Sequence, residues 1–426
     1  MKKLLITGGA RLSGTVRIHG AKNSVLPVLA ACCLCTSPCV LHNCPDIEDV
    51  RTALAILESL GCKTRREGST LCIDASGLSR SRVEKRLAGK MRSSILFLGA
   101  LLARCGKAEL ALPGGCPLGE RPIDLHVKSL AKLGARFRFE KGILQAAWRE
   151  RRDGDIFLSI PSVGATENLL LACALGSGTV TLHGAAREPE ITDLIGFLRA
   201  AGADIRGAGT SELTICGAHK LHGATYTILP DRIETATYLC MAAGCGGDVA
   251  LRRCDGRLLA PVIGCLREAG CEIRSVGSEI ALKSSGKLTA VSPVTTAPYP
   301  GFPTDAQAIL MAAVLRAKGE SVFRETVFER RFLHVPELQK LGADIVLSGK
   351  TARVRGVAHL HGAMLHAEDL RGAAALITAG LLAEGESEVL GLSHLARGYE
   401  NLEQNLKNLG AAIKSVDIPA PFVYNT

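Results

Sequence analysis

The sequence predicts an α/β fold built from six repeated units, three to a domain. Three observations carry this expectation. A helix-stopping phrase recurs as Leu60-Gly61-Cys62, Leu133-Gly134-Ala135, Ala201-Gly202-Ala203, Ala269-Gly270-Cys271, Leu341-Gly342-Ala343 and Leu409-Gly410-Ala411. The glycines fall roughly seventy residues apart, the mark of an internal repeat. Between these phrases, a polar residue opens a helix rich in small apolar side chains. Finally, 426 residues exceed what one hydrophobic core serves, so two domains are expected.

Each unit reads strand, apolar helix, strand, amphipathic helix, strand, strand. The apolar helices are expected over 24–34 after Asn23, 93–102 after Arg92 and 168–175 after Ala165-Thr166-Glu167. Later copies start at Glu234, Asp305 and Arg371. Amphipathic helices are expected over 191–201 and 335–341, each stopped by the glycine of the recurring phrase. Alternating segments at 343–347, 352–354 and 179–182 read as strands.

The apolar helices are apolar nearly all round, which places them inside, with the amphipathic ones outside. Three units around a pseudo-threefold axis would run their buried helices parallel, N-termini at one end. Those ends present unpaired N–H groups and positive partial charge, and two such groups facing each other would make a cleft for anions. Lys22, Arg92 and Arg371 add cations there. A cation at a helix start opposes the dipole, which points to function rather than stability. Asp305 is the exception in sign.

Composition narrows the partners. Apolar residues make up 47% and charged residues 22%, enough for a folded core. Aromatics are 4%, with Trp148 alone of its kind, so Ala, Leu, Val, Ile and Cys fill the core. The formal charge of +10 suits small anionic substrates or nucleic acid. Lys and Arg are scattered and no aromatic platform interleaves with them, which favours small anions. Sixteen cysteines in so long a chain are not a disulfide framework. The start lacks a leader pattern, and the apolar run 24–41 is broken by Pro27, Thr36, Ser37 and Pro38. A cytoplasmic chain with reduced thiols and no membrane segment is the expectation. Cys32, Cys33, Cys35, Cys39 and Cys44 crowd together, the first three expected on the apolar helix. The second half of a zinc site is missing, so they read as packed thiols and no metal is expected.

The stretch 112–122, Leu112-Pro113-Gly114-Gly115-Cys116-Pro117-Leu118-Gly119-Glu120-Arg121-Pro122, cannot continue a helix or a central strand. It reads as an exposed loop with one thiol and one guanidinium. Either Cys116 is a bystander in a surface turn, or Arg121 folds back and favours its thiolate. His126 follows, either tuning Cys116 or contacting solvent or backbone from the next helix. His42, His183 and His222 read as surface or strand-end residues.

Several phrases in order carry a resemblance. They are Gly20-Ala21-Lys22-Asn23, Lys90-Met91-Arg92-Ser93-Ser94, Pro113-Gly114-Gly115-Cys116, Gly119-Glu120-Arg121-Pro122-Ile123-Asp124-Leu125-His126 and Ser162-Val163-Gly164-Ala165-Thr166. Ala185-Ala186-Arg187-Glu188-Pro189-Glu190, Leu229-Pro230-Asp231-Arg232-Ile233-Glu234-Thr235, Phe302-Pro303-Thr304-Asp305, Glu329-Arg330-Arg331-Phe332 and Arg397-Gly398-Tyr399-Glu400 follow. Over essentially its full length the chain resembles the UDP-N-acetylglucosamine 1-carboxyvinyltransferase family of enolpyruvyl transferases. The resemblance implies two inside-out α/β barrel domains. A discontinuous one spans 1–22 with 230–426, and the other spans 23–229 and carries the loop.

It also implies a reaction: the enolpyruvyl group of phosphoenolpyruvate moves to the 3-hydroxyl of UDP-N-acetylglucosamine and phosphate leaves. That step opens peptidoglycan synthesis, and so serves cell shape and division. By resemblance, Cys116 is the acid that protonates the vinyl carbon and can carry a phosphoenolpyruvate adduct. Asp305 is the base. Lys22, Arg121, Arg331, Arg371 and Arg397 hold the phosphate and carboxylate, as guanidinium forks suit both. Asn23 lies near the tetrahedral intermediate. Asp369 either lies near the reacting centre or caps the helix at Arg371. The nucleotide sugar falls to Arg92, Arg121, Pro122, Ile123, Asp124, Leu125, Ser162, Val163, Gly164, Asp305 and Val327. Some members carry a lysine just before the Ser-Val-Gly phrase; Ile160 and Pro161 stand there in this chain. No metal or organic cofactor is implied. Phosphonate epoxides alkylate the family's loop cysteine, and members with aspartate there resist them. A shikimate 3-phosphate transferase, an RNA-binding protein and an inactive homologue are the rival readings. The first lacks the Gly-Gly-Cys phrase.

Overall fold

In a computed structural model, which describes residues 2–114, 118–119 and 122–417, the chain divides into two compact units. Of the described residues, one unit comprises 2–18, 118–119 and 232–417; the other comprises 19–114 and 122–231. Apart from the short 118–119 stretch, the chain changes unit at 18/19 and 231/232, which leaves Lys22 in the second unit, with Asp49. The two crossing segments run side by side: Ala21 N donates to Leu229 O at 2.8 Å and Asp231 N to His19 O at 2.8 Å.

Each unit has a trio of buried helices, each helix touching the other two. In the second unit these are Lys22–Cys32, Leu96–Cys105 and Val163–Cys173. In the first they are Arg232–Cys245, Thr304–Ala313 and Leu370–Leu382. Small side chains permit the close approach. A Cβ on Gly99 would lie 2.3 Å from Asn168 O, so only glycine lets those two helices meet there. The outer helices bury one stripe only. Pro189–Ala200, for example, turns Ile191, Leu194, Ile195 and Leu198 inward at helical spacing. The six recurring glycines all take left-handed backbone at the ends of these outer helices, with φ from +92 to +104°.

Five of the six units carry a four-stranded sheet. In the sheet Asp204–Arg206, Glu212–Cys216, Thr179–His183, Gly154–Phe157, the last two strands pair in parallel, as a crossover through a buried helix requires. The other two close the sheet as an antiparallel hairpin. The sixth sheet has three strands: Lys107–Ala111, Ile143–Ala147 and Arg136–Glu140. Its first strand is reduced to a bridge between Arg82 and Glu109. The segment Ser79-Arg80-Ser81-Arg82 offers no apolar residue to alternate.

Several boundaries differ from the expected ones. The helix expected at 168–175 is Val163–Cys173, because Ser162 accepts from Ala165 N at 3.3 Å and caps it earlier. Arg92–Ile95 is a 3-10 turn before the α-helix Leu96–Cys105. The first buried helix ends at Cys32, so Cys33 and Cys35 lie beyond it rather than on it. The amphipathic helices expected over 191–201 and 335–341 are Pro189–Ala200 and Val335–Lys340. Every described cysteine is free. Among the described residues no helix is long and apolar enough to cross a membrane.

Candidate active site

In the first unit, two buried helix starts bring a carboxylate between two arginines. Pro303 precedes the helix Thr304–Ala313, so Asp305 falls in its first turn, where negative charge complements the dipole. Asp305 Oδ1 lies 2.7 Å from Arg331 Nη2, and Oδ2 lies 3.0 Å from Arg371 Nη2. Arg331 is 2% exposed and also donates through Nε and Nη2 to Thr304 O, at 3.2 and 3.0 Å. Its guanidinium carbon lies 5.6 Å from the centre of the Phe328 ring. Arg371 packs likewise over Tyr399, at 5.4 Å. The Tyr399 hydroxyl lies 2.8 Å from Thr237 Oγ1, which ties the third helix of the trio into the cluster.

Asp369 caps the helix Leu370–Leu382. Its Oδ1 accepts from Arg371 N at 3.0 Å and Gly372 N at 3.1 Å. The same carboxylate lies 3.9 Å from Arg331 Nη1. Asp369 is therefore a cap that also borders the arginine cluster. Arg397 is half-buried just past the short helix Leu392–Leu395, with its N–H donating to His394 O at 3.3 Å. Val327 is exposed, and its N–H donates to Glu325 Oε1 at 2.7 Å.

Glu325 escapes a motif reading. It is 1% exposed and accepts from Thr296, Thr304, Val327 and Phe328. One carboxylate thus fastens the segment leading to Arg331 onto the start of the Asp305 helix. A lone glutamate after a strand gives no sequence signal for this.

The second unit gathers another set. Lys22 opens the first buried helix; its N–H donates to Asp231 Oδ2 at 3.1 Å and its Nζ lies 2.9 Å from Asp49 Oδ2. Asn23, next in the chain, is exposed. Pro27 lacks the N–H that would bond the Asn23 carbonyl, so the helix ladder leaves that carbonyl without its usual donor. Ser24 donates to Asp193 behind them. Burial, with Glu190 and Glu188 nearby, pushes the Glu167 carboxyl well above the usual range.

Arg92 reaches across to the loop end, its Nη2 donating to Pro122 O at 3.3 Å. Ile123 and Asp124 lead into the helix Asp124–Lys132, which carries Leu125 and His126. His126 is hydrogen-bonded to a side chain rather than to solvent or main chain. It is 5% exposed, and its Nδ1 lies 2.8 Å from Asn168 Nδ2. Asn168 Oδ1 accepts from Gly99 N at 2.6 Å, which orients the amide so that its NH₂ faces His126. Nδ1 therefore accepts and Nε2 carries the proton. Burial, and next the Arg92 charge, lower its pKa to about 4, so the ring is neutral. The ring packs against Gly164, where a Cβ would lie 3.2 Å from Cε1. Ser162, Val163 and Gly164 thus form a helix start beside Arg92 and His126. Ile160, shortly before the Ser-Val-Gly phrase, is 61% exposed.

Cys116 and Arg121 lie outside the described residues. Of their neighbours, Leu118 O accepts from Arg330 N at 3.2 Å. Gly119, at φ +107°, sits against Glu329.

Known proteins resemble the chain throughout. The EPSP synthase (3-phosphoshikimate 1-carboxyvinyltransferase) family model matches residues 6–406. UDP-N-acetylglucosamine 1-carboxyvinyltransferase 2 of Caldanaerobacter subterraneus subsp. tengcongensis is 46% identical over 413 residues, 97% of this chain and 99% of that one. The UDP-N-acetylglucosamine 1-carboxyvinyltransferase of Gloeobacter violaceus is 47% identical over 412 residues, 96% of this chain and 90% of that one. This chain belongs to the UDP-N-acetylglucosamine 1-carboxyvinyltransferase family. Its fold is that of the enolpyruvyl transferases. The crystal structure of the enolpyruvyl transferase NikO from Streptomyces tendae matches with a TM-score of 0.89 at 30% identity, covering 98% of this chain and 99% of that one. EPSP synthase from Acinetobacter baumannii shares the fold, with a TM-score of 0.75 at 19% identity and coverage of 98% and 100%. Membership makes the chain a transferase of the enolpyruvyl class.

Proposed function

We propose that this chain transfers the enolpyruvyl group of phosphoenolpyruvate to the 3-hydroxyl of UDP-N-acetylglucosamine by addition and elimination. The observation that carries the reading is the Asp305 carboxylate, fixed at a helix start between Arg331 and Arg371. A carboxylate so held can accept a proton from a hydroxyl if its cations orient it and leave one face open for that hydroxyl to reach. Asp305 remains 26% exposed, which meets that condition.

In the addition step Asp305 takes the hydroxyl proton and the sugar oxygen bonds to C2 of phosphoenolpyruvate. Cys116 supplies the proton that the vinyl carbon gains. In the elimination step that carbon loses a proton, the double bond re-forms, and the C–O bond to phosphate breaks. Arg331, Arg371, Arg397, Lys22 and Arg121 neutralise the phosphate and carboxylate, and Asn23 borders the intermediate. Arg92, Arg121 through Leu125, and the helix start at Ser162, Val163 and Gly164 take the nucleotide sugar with Asp305 and Val327; N–H groups of such a start suit a diphosphate. No metal or organic cofactor enters; the covalent species is an adduct on Cys116. The partners are small molecules, not nucleic acid or membrane, and the setting is the cytoplasm, upstream of cell-wall growth and division.

Phosphate release from phosphoenolpyruvate, measured with each acceptor separately, tests this. UDP-N-acetylglucosamine should support turnover and shikimate 3-phosphate should not, and Cys116→Ala should abolish it with nucleotide-sugar binding kept. Turnover with shikimate 3-phosphate alone would overturn the reading.

A further inference from the structure

A buried imidazole and one oxygen of the Asp369 carboxylate flank the Asp305 cluster. His334, at the start of the helix Val335–Lys340, is 3% exposed. Among the described residues neither of its ring nitrogens makes a well-formed hydrogen bond, although the Arg331 main chain lies close by. Asp369, also 3% exposed, spends Oδ1 on its helix cap. Among the described residues no hydrogen bond reaches its Oδ2. A Cβ on Gly372 would lie 2.6 Å from Asp369 Oδ2 and 3.5 Å from His334 Cβ. Glycine thus leaves room between that carboxylate oxygen and the base of the His334 side chain. Burial lowers the His334 pKa to about 4, against the pull of Asp369, so the ring is neutral and keeps one N–H and one bare nitrogen. Buried polar atoms in folded proteins are nearly always bonded, to protein or to an ordered water.

We propose that His334 is a positioning residue for the enolpyruvyl transfer, its ring linked to Asp369 Oδ2 through one water beside Gly372. The inference rests on the functional reading above. His334 stands three residues after Arg331, so one short turn carries both the guanidinium on Asp305 and the imidazole behind Asp369. Fixing the second oxygen of Asp369 stops its carboxylate from rotating. That in turn fixes the cap of the Arg371 helix and the flank of Arg331. His334 touches no substrate; it acts through Asp369 on the two arginines that aim Asp305.

The test uses the full chain. Wild-type phosphate release with UDP-N-acetylglucosamine is measured first, and its absence would fail the functional reading rather than this one. Given turnover, His334→Phe should lower kcat about tenfold or more while KM for the nucleotide sugar stays within about threefold, and His334→Gln should recover much of the loss. A folded His334→Phe variant with wild-type kcat, or equal losses in Phe and Gln, would overturn it. A second measurement depends on neither turnover nor that variant's folding. With ¹⁵N-histidine labelling, Asp369→Asn, which preserves the cap, should shift the His334 ring nitrogens; unchanged resonances would overturn the proposal.

Discussion

Arg331 meets the Asp305 carboxylate at 2.7 Å from a position only 2% exposed, whereas Asp305 is 26% exposed. The cation is sunk in the interior and the carboxylate faces out. That asymmetry suits a base that must stay charged, oriented and reachable.

Arg331→Lys should be far from conservative. A single ammonium cannot bond Thr304 O through two nitrogens, meet Asp305 and flank Asp369 together. The expected result is a fall in kcat/KM for phosphoenolpyruvate of about a hundredfold, with about 1–2 kcal/mol lost from stability. Steady-state kinetics and urea unfolding check both.

Gly99→Ala should destabilise the second unit through packing alone. The added methyl would lie 2.3 Å from Asn168 O and 2.5 Å from Asn168 Oδ1. Two buried helices would have to separate, at a cost of about 2–3 kcal/mol. The same shift would disturb the amide that holds His126. A lowered thermal midpoint, read by circular dichroism, is the expected outcome.

His126 makes stability pH-dependent with a fixed sign. Its folded pKa is lowered to about 4, below the unfolded value of about 6.5. Between those values the unfolded chain binds a proton that the folded chain refuses, so stability falls as pH drops from about 6.5 toward 4. The loss attributable to His126 between pH 7.5 and pH 5 is about 2 kcal/mol. His334 adds a loss of the same sign. Comparing wild type with His126→Gln isolates the first contribution: the variant should show the shallower decline in unfolding free energy.

A phosphonate epoxide should modify one cysteine. Burial pushes Cys173 and Cys254 up to about 11 and Cys44 to about 12, whereas hydrogen bonds from neighbouring thiols lower Cys39 and Cys62, which are shielded instead by being buried. Peptide mass spectrometry should find the adduct on Cys116. Cys116→Asp should take none and still release phosphate, since a carboxylic acid can donate the proton without offering a thiolate.

The sequence disclosed the architecture because its repeat is local. Each unit's glycine stop and apolar helix lie within a few tens of residues, and period and capping chemistry are enough to read them. The residues at the helix starts, Lys22, Arg92, Asp305 and Arg371, were legible for the same reason. What stayed hidden depends on contacts made only after folding. Asn168 orients His126 from 42 positions away along the chain, and Asp193 meets Ser24 from 169. Glu325 is an ordinary residue after a strand until four donors converge on it. The reduced strand at Arg82 departs from the repeat where apolar alternation fails, a departure visible in the letters but outweighed by the period around it.

Single-turnover phosphate release by Asp305→Ala, with both substrates saturating, isolates the proton-accepting role of Asp305. If Asp305 is the base that Arg331 and Arg371 aim, release should slow by about 10²–10⁴-fold while the nucleotide sugar still binds. Release within about threefold of the unaltered chain would contradict the account.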